Sequence, residues 1–270
     1  MSKVKVLVLD LDGTCHIFGG GPHPGNFEAI KKANEEYGVK VVFATGRPYY
    51  AKQNEFEKLG KINDDYFIAS FNGANIRNLN TGIEIETNLI SAELTKWLWN
   101  YIESNKNLIG MSYFSDEKEA VHGEEESLVD YELKFARPNT IKIRSTDVKE
   151  FRPTYKFLIQ GFTEANKADL EKQGLHVQWA PGAKTAEINA KDINKGYVVD
   201  YFAKLFNVNV SEVLAMGDGA NDVASLKRAG YGVCPANSGD AAKAAATQIS
   251  KYTDAEGCVA KTIEELVFNK

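Results

Sequence analysis

The feature that most constrains the fold is a short apolar run that ends in two closely spaced aspartates. Val4 to Leu9 consists of valines and leucines interrupted by a single lysine, a pattern typical of a strand buried on both faces. Asp10 and Asp12 follow at once, one residue apart. Like charges at the end of a buried strand repel each other and lose hydration, so another group must compensate for them.

Buried strands alternate with helices along the first part of the chain. After a glycine-rich segment, a helix is predicted over residues 27–37, with Asn26 as its N-cap and Gly38 as its C-cap. A second buried strand, a helix near residues 48–59 and a strand at residues 66–70 come next. This alternation predicts an α/β fold with a parallel sheet and right-handed crossovers.

The middle of the chain has a different pattern, and the buried-strand pattern returns after Lys195. Hairpin signals, an amphipathic helix and polar loops dominate the middle. At 270 residues the chain is long enough for two domains. The prediction is an α/β core made of residues 1–83 and 188–270, interrupted by an inserted α+β domain over residues 84–187.

Charge and cysteine content exclude several classes of function. The net charge of −5, without a basic block, argues against nucleic acid or an anionic membrane as a partner. The three cysteines are an odd number without C-x-x-C spacing, which argues against a disulfide framework or zinc site and fits a reducing cytoplasm. The sequence contains no stretch that approaches 18 uncharged apolar residues, so no membrane span is predicted.

Polar side chains follow three predicted core strands at the points where those strands end. Asp10 and Asp12 follow the first strand, Thr45 the second, and Asp218 and Asp222 a later one. In open α/β sheets, ligands bind just beyond the carboxyl ends of the strands. The sequence therefore predicts that these side chains meet in one crevice, with Lys195 near the start of a helix that points to the same place.

The charges at this crevice call for a cation. Four ionised carboxylates carry about −4 and Lys195 supplies +1, and an all-oxygen acidic site suits Mg²⁺ better than zinc. With the metal and Lys195 in place, the site accepts a phosphate, and the Thr45 hydroxyl and the backbone N–H groups after it are donors for its oxygens. This combination favours phosphoryl transfer through an aspartyl-phosphate.

Four motifs together resemble those of the haloacid dehalogenase (HAD) superfamily, and more narrowly its Cof-type, class IIB-capped phosphatases. They are "DLDGT", "ATGR", the lysine of "NKG" and "GDGAND". The resemblance covers essentially the whole chain and implies a Rossmann-like core, with the inserted domain as a cap that selects the substrate. It implies a Mg²⁺-dependent phosphatase that hydrolyses small phosphate monoesters, with sugar phosphates as the expected class.

The resemblance also implies a role for each motif residue. Asp10 is the nucleophile, and Asp12, expected to start protonated, is the acid and then the base. Thr45 and Lys195 bind the phosphoryl group. Mg²⁺ is held by Asp10, the backbone carbonyl of Asp12, Asp218 and Asp222. Further phosphate or substrate contacts are expected from Leu11, Gly46 and Asn221. Arg47 is expected either to contact the substrate or to pair with an acid, and Asn72 and Gly73 either to contact the substrate or only to form a tight turn.

Two alternatives stay open at the level of sequence. A phosphosugar mutase of the phosphomannomutase type has the same motifs, and a catalytically idle binding protein has the same fold. The expected partner is a small phosphate ester, and the expected oligomeric state is a monomer or a weak homodimer. The glycine-rich segment with His16 and His23, and Cys15 in place of the leucine usual in this subgroup, are left without an assigned function.

Overall fold

A computed structural model describes residues 3–51, 53–114, 119–134 and 140–269 of the chain. The strands are β1 Val6–Leu9, β2 Lys40–Ala44, β3 Tyr66–Ser70, β4 Asn75–Asn78, β5 Glu84–Thr87, β6 Ile109–Phe114, β7 Glu119–His122, β8 Ile141–Arg144, β9 Thr154–Gln160, β10 His176–Gln178, β11 Thr185–Asn189, β12 Val213–Met216, β13 Tyr231–Cys234 and β14 Gln248–Ile249. The α-helices are α1 Pro24–Tyr37, α2 Gln53–Phe56, α3 Ala92–Ser104, α4 Ser127–Leu133, α5 Glu164–Lys172, α6 Lys195–Leu205, α7 Val223–Arg228, α8 Asp240–Ala245 and α9 Cys258–Ile263.

The chain divides into two compact units, one of which is interrupted in sequence by the other. The first unit comprises the residues up to Glu86 together with those from Asn194 onward, and the second comprises Thr87–Ile193. The first unit contains the sheet with strand order β14-β13-β12-β1-β2-β3-β4-β5. The second contains the sheet with order β10-β11-β9-β6-β7-β8. That the second unit serves as a substrate-selecting cap stays a prediction.

The sheet of the first unit confirms the predicted α/β fold. From β14 to β3 the neighbouring strands are parallel, and β4 is antiparallel to β3. The strand β1 lies between β2, which follows it closely in sequence, and β12, which comes about 200 residues later. The order of the strands reverses at β1, and such a reversal leaves a crevice beyond the carboxyl end of the sheet where ligands bind.

Both faces of β1 are covered, which explains its unbroken apolar sequence. Leu7 and Leu9 lie in one core cluster with apolar residues of α1 and α9. Val6 and Val8 lie in another with residues of α6. Because successive side chains of a strand point to opposite faces, a strand between two helical layers needs apolar residues at every position.

The second unit is a mixed sheet with helices α3 and α5 packed into its core. Its strands pair antiparallel except for β7 and β8, which are parallel. Trp99, Phe157 and Leu170 belong to a core cluster separate from those of the first unit. Helix α3 begins at a conventional N-cap, where the Ser91 hydroxyl accepts the N–H of Leu94.

Two local predictions in the first unit were wrong. Helix α1 begins at Pro24 and its N-cap is His23, so Asn26 lies inside the helix; only Gly38, with φ of 67°, is the predicted C-cap. The side chain of Asn26 is buried, its Nδ2 donates to the carbonyl of Cys15, and its Oδ1 accepts the N–H of Ala260. A capping residue was expected because asparagine is common at N-caps, but here long-range contacts determine its place.

The segment predicted as a helix over residues 48–59 consists of short pieces. A 3-10 turn at Tyr49–Ala51, helix α2 and a 3-10 turn at Glu57–Leu59 follow one another. Lys52 lies outside the described residues. Short 3-10 turns and short α-helices are hard to distinguish by sequence, because the two differ by only about 0.6 residue per turn. Among the residues that the structure describes, no helix is long and apolar enough to cross a bilayer.

Candidate active site

The loop after β1 carries Asp10 and Asp12 beyond the carboxyl end of the central strand. The carboxyl group of Asp10 lies at the end of a strand buried on both faces, and the residue is 7% exposed. Asp12 is partly exposed and accepts a hydrogen bond from Arg47 Nε to its Oδ2 at 2.6 Å. Gly13, with φ of 83°, allows the chain to turn there, and a Cβ at this position would approach Asp218 Oδ2 to 2.6 Å. A glycine is therefore required for both conformation and space.

Lys195 reaches this loop from the start of helix α6. The Asn194 side chain caps the helix by accepting the N–H groups of Gly196 and Tyr197, which places Lys195 at the first helical position. Its Nζ donates to Asp10 Oδ1 at 2.5 Å and to Asp222 Oδ1 at 2.6 Å. The lysine is 1% exposed, so both ion pairs are shielded from water and weakly screened.

The loop after β12 supplies the remaining carboxylates. Asp222 is buried, and its Oδ2 accepts the N–H of Asp218 at 3.1 Å and that of Gly219 at 2.9 Å. A Cβ on Gly217 would lie 2.2 Å from the Asp222 carboxyl carbon, so only glycine fits there. Asp218 Oδ1 accepts a hydrogen bond from Thr14 Oγ1 at 3.4 Å, which connects this loop to the loop after β1.

The carboxylates of Asp10, Asp218 and Asp222 form a close group. Each offers an oxygen within 4.8 Å of the others. Burial raises the pKa of Asp10 well above its usual value; Lys195 opposes this, and Asp222 and Asp218 reinforce it. Burial and the neighbouring Asp222 also raise the pKa of Asp218, to about 6. For Lys195, burial alone would lower the pKa, but the carboxylates of Asp10 and Asp222 raise it.

The donor set of this group fits a divalent cation. Three carboxylates and one lysine give a net charge of about −2 in a buried place, which is unfavourable without a further positive charge. All three candidate ligand groups offer oxygen, which is the donor that Mg²⁺ prefers. The carboxylate of Asp12 is outside this group, and a ligand role for its backbone carbonyl stays a prediction.

Thr45 and Arg47 follow β2 next to the loop that follows β1. Thr45 is 2% exposed, and its Oγ1 accepts the N–H of Arg47 at 3.1 Å. The pairing of Leu9 with Phe43 brings the ends of β1 and β2 to the same edge of the sheet. Gly46 lies between Thr45 and Arg47 in this loop. Of the two roles open for Arg47, the pairing with an acid is the one present in this structure.

Asn72 and Asn221 connect two further loops at the same end of the sheet. The N–H of Asn72 donates to the carbonyl of Thr45 at 2.8 Å, and its Oδ1 accepts from Asn221 Nδ2 at 3.3 Å. Phe71, Asn72 and Gly73 all have positive φ, at 52°, 62° and 106°. Positive φ at two consecutive residues other than glycine is a strained conformation, which proteins keep mostly at functional sites.

The structure thus brings the predicted residues together unevenly. Asp10, Lys195, Asp218 and Asp222 form one connected group. Asp12 and Arg47 form a second, which joins the loops after β1 and β2. Thr45, Asn72 and Asn221 form a third through hydrogen bonds. Leu11 is buried, and its carbonyl accepts the N–H groups of Thr14 and His16. Substrate contacts of Leu11, Gly46, Arg47, Asn72, Gly73 and Asn221 stay predictions.

The structure adds two contacts to the residues of the first motif. Asp12, which is expected to start protonated, accepts a hydrogen bond from Arg47 at its carboxyl group. Thr14 was not singled out, although it follows Asp12 and Gly13 in the first motif and donates to Asp218. Neither His16 nor His23 joins the acidic group; His16 is buried, with its Nδ1 2.9 Å from Glu55 Oε2.

Replacing Asp218 by asparagine should stabilise the metal-free protein near neutral pH. Since the pKa of Asp218 is about 6 in the native state and about 3.9 in an unfolded chain, the native state holds more protons between these values. The free energy of unfolding therefore falls as the pH rises from about 4 to 6. In EDTA, we expect the gain of Asp218→Asn over wild type to grow from near zero at pH 4 to about 1–2 kcal/mol at pH 7, after allowance for partial exposure.

Urea unfolding of both proteins in EDTA at several pH values measures this difference. Addition of Mg²⁺ should then raise the melting temperature of wild type more than that of the variant, because binding to the native state stabilises it. Asp147→Asn, at an exposed position of the second unit, is the control and should change neither quantity. A pH-independent difference between wild type and Asp218→Asn would contradict this electrostatic account.

Comparisons with known proteins agree on one family. A family model described as haloacid dehalogenase-like hydrolase matches residues 7–263. The 5-amino-6-(5-phospho-D-ribitylamino)uracil phosphatase YcsE of Bacillus subtilis is 28% identical over 268 residues, covering 98% of this chain and 96% of that protein. A haloacid dehalogenase-like hydrolase from Bacteroides thetaiotaomicron is 26% identical with a TM-score of 0.76, covering 97% of this chain and 99% of the other. The subclass IIB sugar phosphatase BT4131 has the same fold, with 23% identity, a TM-score of 0.78 and coverage of 97% and 98%.

Proposed function

The chain belongs to the haloacid dehalogenase-like hydrolase family, and from this premise we propose that it is a Mg²⁺-dependent phosphatase of small phosphate monoesters. The observation that carries the proposal is the buried lysine that joins Asp10 to Asp222 beside Asp218. A nucleophilic carboxylate, a fixed positive charge and oxygen ligands for a metal are what transfer of a phosphoryl group requires. Relatives named as phosphatases support the same class of reaction.

Asp10 acts in this proposal as the nucleophile. One of its carboxylate oxygens attacks phosphorus, the bond from phosphorus to the alcohol oxygen breaks, and an aspartyl-phosphate forms. Lys195 holds Asp10 in place and balances part of the negative charge that gathers on the phosphoryl oxygens. Thr45, with its hydroxyl at the end of β2, is proposed as a further donor to those oxygens.

Asp12 acts in both steps. It donates a proton to the alcohol oxygen that leaves, and it then takes a proton from the water that hydrolyses the aspartyl-phosphate. The substrate-free structure holds its carboxylate against Arg47. We propose that the phosphate of the substrate competes for this guanidinium, so that Arg47 has an anionic partner both before and after binding.

Asp10, Asp218 and the carbonyl of Asp12 are the proposed ligands of Mg²⁺, with Asp222 in or just behind this shell. When bound, the ion would neutralise the acidic cluster and the phosphate and polarise the phosphoryl group. The two carboxylate oxygens of Asp222 already accept hydrogen bonds, one from Lys195 and the other from the N–H groups of Asp218 and Gly219. We therefore propose that Asp222 orients the lysine and the loop of Asp218.

The proposed substrate class is the phosphate ester of a polyhydroxylated carbon chain. The name of YcsE includes a phosphorylated ribityl chain, and BT4131 is named a sugar phosphatase. Both names share a phosphate on a carbon chain with several hydroxyl groups. Sugar phosphates and sugar-alcohol phosphates are accordingly the first compounds to test, and the inserted second unit is the proposed determinant of the choice between them.

Hydrolysis of p-nitrophenyl phosphate tests the reaction class. We expect release of p-nitrophenol with Mg²⁺ and its loss when EDTA is added, followed by recovery when Mg²⁺ is returned. A panel of hexose, pentose and pentitol phosphates then ranks the substrates by kcat/KM. A hexose 1-phosphate that is isomerised rather than hydrolysed would indicate a mutase, and absence of turnover with every compound would favour a binding protein.

A further inference from the structure

A buried carboxylate outside the acidic group connects the segment that follows Asp12 to the loop after β13. Asp254 lies in a 3-10 turn just before α9 and is 3% exposed. Its Oδ2 accepts the N–H of Phe18 at 2.7 Å. Its Oδ1 accepts Asn237 Nδ2 at 2.9 Å and the N–H of Ala255 at 2.8 Å. Each donor is an amide, so hydrogen bonds rather than an ion pair compensate for its burial.

The hydrogen bond to Phe18 fixes the glycine-rich segment that follows Asp12. Isolated bridges pair Asp12 with His16, and His16 with Pro22, so the segment folds back on itself as a narrow hairpin. The N–H of Ile17 donates to the carbonyl of Gly21, which leaves Phe18 near the tip. The ring of Phe18 is 77% exposed. The Asp254 carboxylate, which binds the backbone, therefore holds the tip in place where side-chain packing does not.

The other oxygen of Asp254 fixes the loop after β13. The Asn237 side chain also accepts a hydrogen bond in return, because the N–H of Asp254 donates to Asn237 Oδ1 at 3.2 Å. Two residues further on, the N–H of Gly239 donates to the carbonyl of Asp218 at 3.0 Å. The loop that Asp254 holds thus supports the backbone of Asp218.

We propose that Asp254 is a positioning residue of the active site. It touches neither Asp12 nor Asp218, but it joins the hairpin that continues from Asp12 to the loop that supports Asp218. It thereby sets the distance between the acid/base residue and the metal-binding carboxylate. This inference rests on the proposed function of those two residues, and it gives the glycine-rich segment a role.

The need for a carboxylate at this position follows from the number of donors. Three N–H groups donate to the two oxygens of Asp254. An asparagine has only one side-chain oxygen, so its NH₂ group would face the donors at the position of the other oxygen. Two donors would then face each other, which costs a buried hydrogen bond and its desolvation. The amide of Asn237 offers a way to restore the pairing, because an aspartate there could accept the NH₂ group of an asparagine at position 254.

Asp254→Asn, Asn237→Asp and the double variant form the test. Because displacement by about 1 Å at a catalytic group can cost on the order of 10²-fold in rate, we expect kcat of Asp254→Asn with p-nitrophenyl phosphate and saturating Mg²⁺ to fall about 10- to 100-fold, with KM changed less. The double variant should recover at least about 5-fold of this loss, because the hydrogen bond between positions 237 and 254 is restored. Amide hydrogen exchange of residues 12–22 should rise in the single variant and fall back in the double.

Glu256→Ala is the matched control for general loss of stability. The Glu256 carboxylate caps the same turn by accepting the N–H and hydroxyl of Thr253, but it does not contact the hairpin. This variant should lower the melting temperature without changing kcat or the exchange of residues 12–22. An unchanged kcat in Asp254→Asn, or a double variant no better than the single one, would overturn the inference. Should wild type itself lack phosphatase activity, the proposed function fails, and unchanged hairpin exchange in Asp254→Asn would overturn the inference separately.

Discussion

Asp10→Asn should lose essentially all turnover, by a factor on the order of 10⁴ or more. The amide has nearly the same shape as the carboxylate, but it cannot form the aspartyl-phosphate. Lys195 keeps its second partner, Asp222, so the helix start and the loop after β12 should stay in place. Initial rates with p-nitrophenyl phosphate at saturating Mg²⁺ measure the loss. Acid-quenched wild type incubated with ³²P-labelled substrate should retain label on the protein, and the variant should retain none.

Asp12→Asn separates the nucleophile from the acid/base residue. This variant keeps Asp10 and should still bind the phosphate ester, while turnover falls by about 10²- to 10⁴-fold from loss of proton transfer.

Asp10→Ala is the control for the nucleophile. It should match Asp10→Asn in rate, and it shows whether residual activity in the asparagine variant comes from deamidation. Retention of more than about one percent of wild-type kcat by both Asp10 variants would refute the nucleophile assignment.

Lys195→Met should strongly destabilise the first unit. The lysine is almost fully buried, and methionine replaces its length but leaves the carboxylates of Asp10 and Asp222 without their cation. Breaking a buried ion pair by removing one partner typically costs about 3–5 kcal/mol. The loss in free energy of unfolding should appear in urea titrations at pH 7 in EDTA. It should shrink at lower pH, where the carboxyl groups take up protons.

Lys204→Met provides the comparison, because Lys204 lies on the same helix and is exposed. We expect it to change the free energy of unfolding by less than about 0.5 kcal/mol. If Lys195→Met cannot be purified as a folded protein, the double variant with Asp222→Asn removes one of the unpaired charges and should be recoverable. A destabilisation below about 1 kcal/mol in Lys195→Met would mean that the buried pairs contribute far less than this geometry implies.

The sequence indicates which side chains meet beyond the central strand, because each of them follows a local signal. Asp10 follows an unmistakable buried strand, and Asp218 and Asp222 follow another, and parallel strands bring their carboxyl ends to one edge. Lys195 lies near the start of a predicted helix. These rules act over a few residues each, so their combination predicted a group that the structure brings within 4.8 Å for the three carboxylates.

Contacts between distant segments were beyond the reach of the sequence. Asn26 looked like a helix cap, but its side chain binds the carbonyl of Cys15 and the N–H of Ala260. The pairing of Arg47 with Asp12 depends on the path of two loops, and no spacing rule distinguishes it from a contact with substrate. Nothing in the sequence indicated that Asp254 is buried, because an aspartate that binds three amide donors cannot be told from an exposed turn residue by composition.

The position of β1 between β2 and β12 has a consequence for the biogenesis of the enzyme. On the ribosome, β1 can pair with β2 early, but its other edge has no partner until residues 213–216 emerge. Between these events the whole of Thr87–Ile193 is translated, and its strands pair with one another. A nascent chain therefore exposes one edge of its central strand until β12 has been made, and the acidic cluster is assembled only after residues 218–222 have emerged.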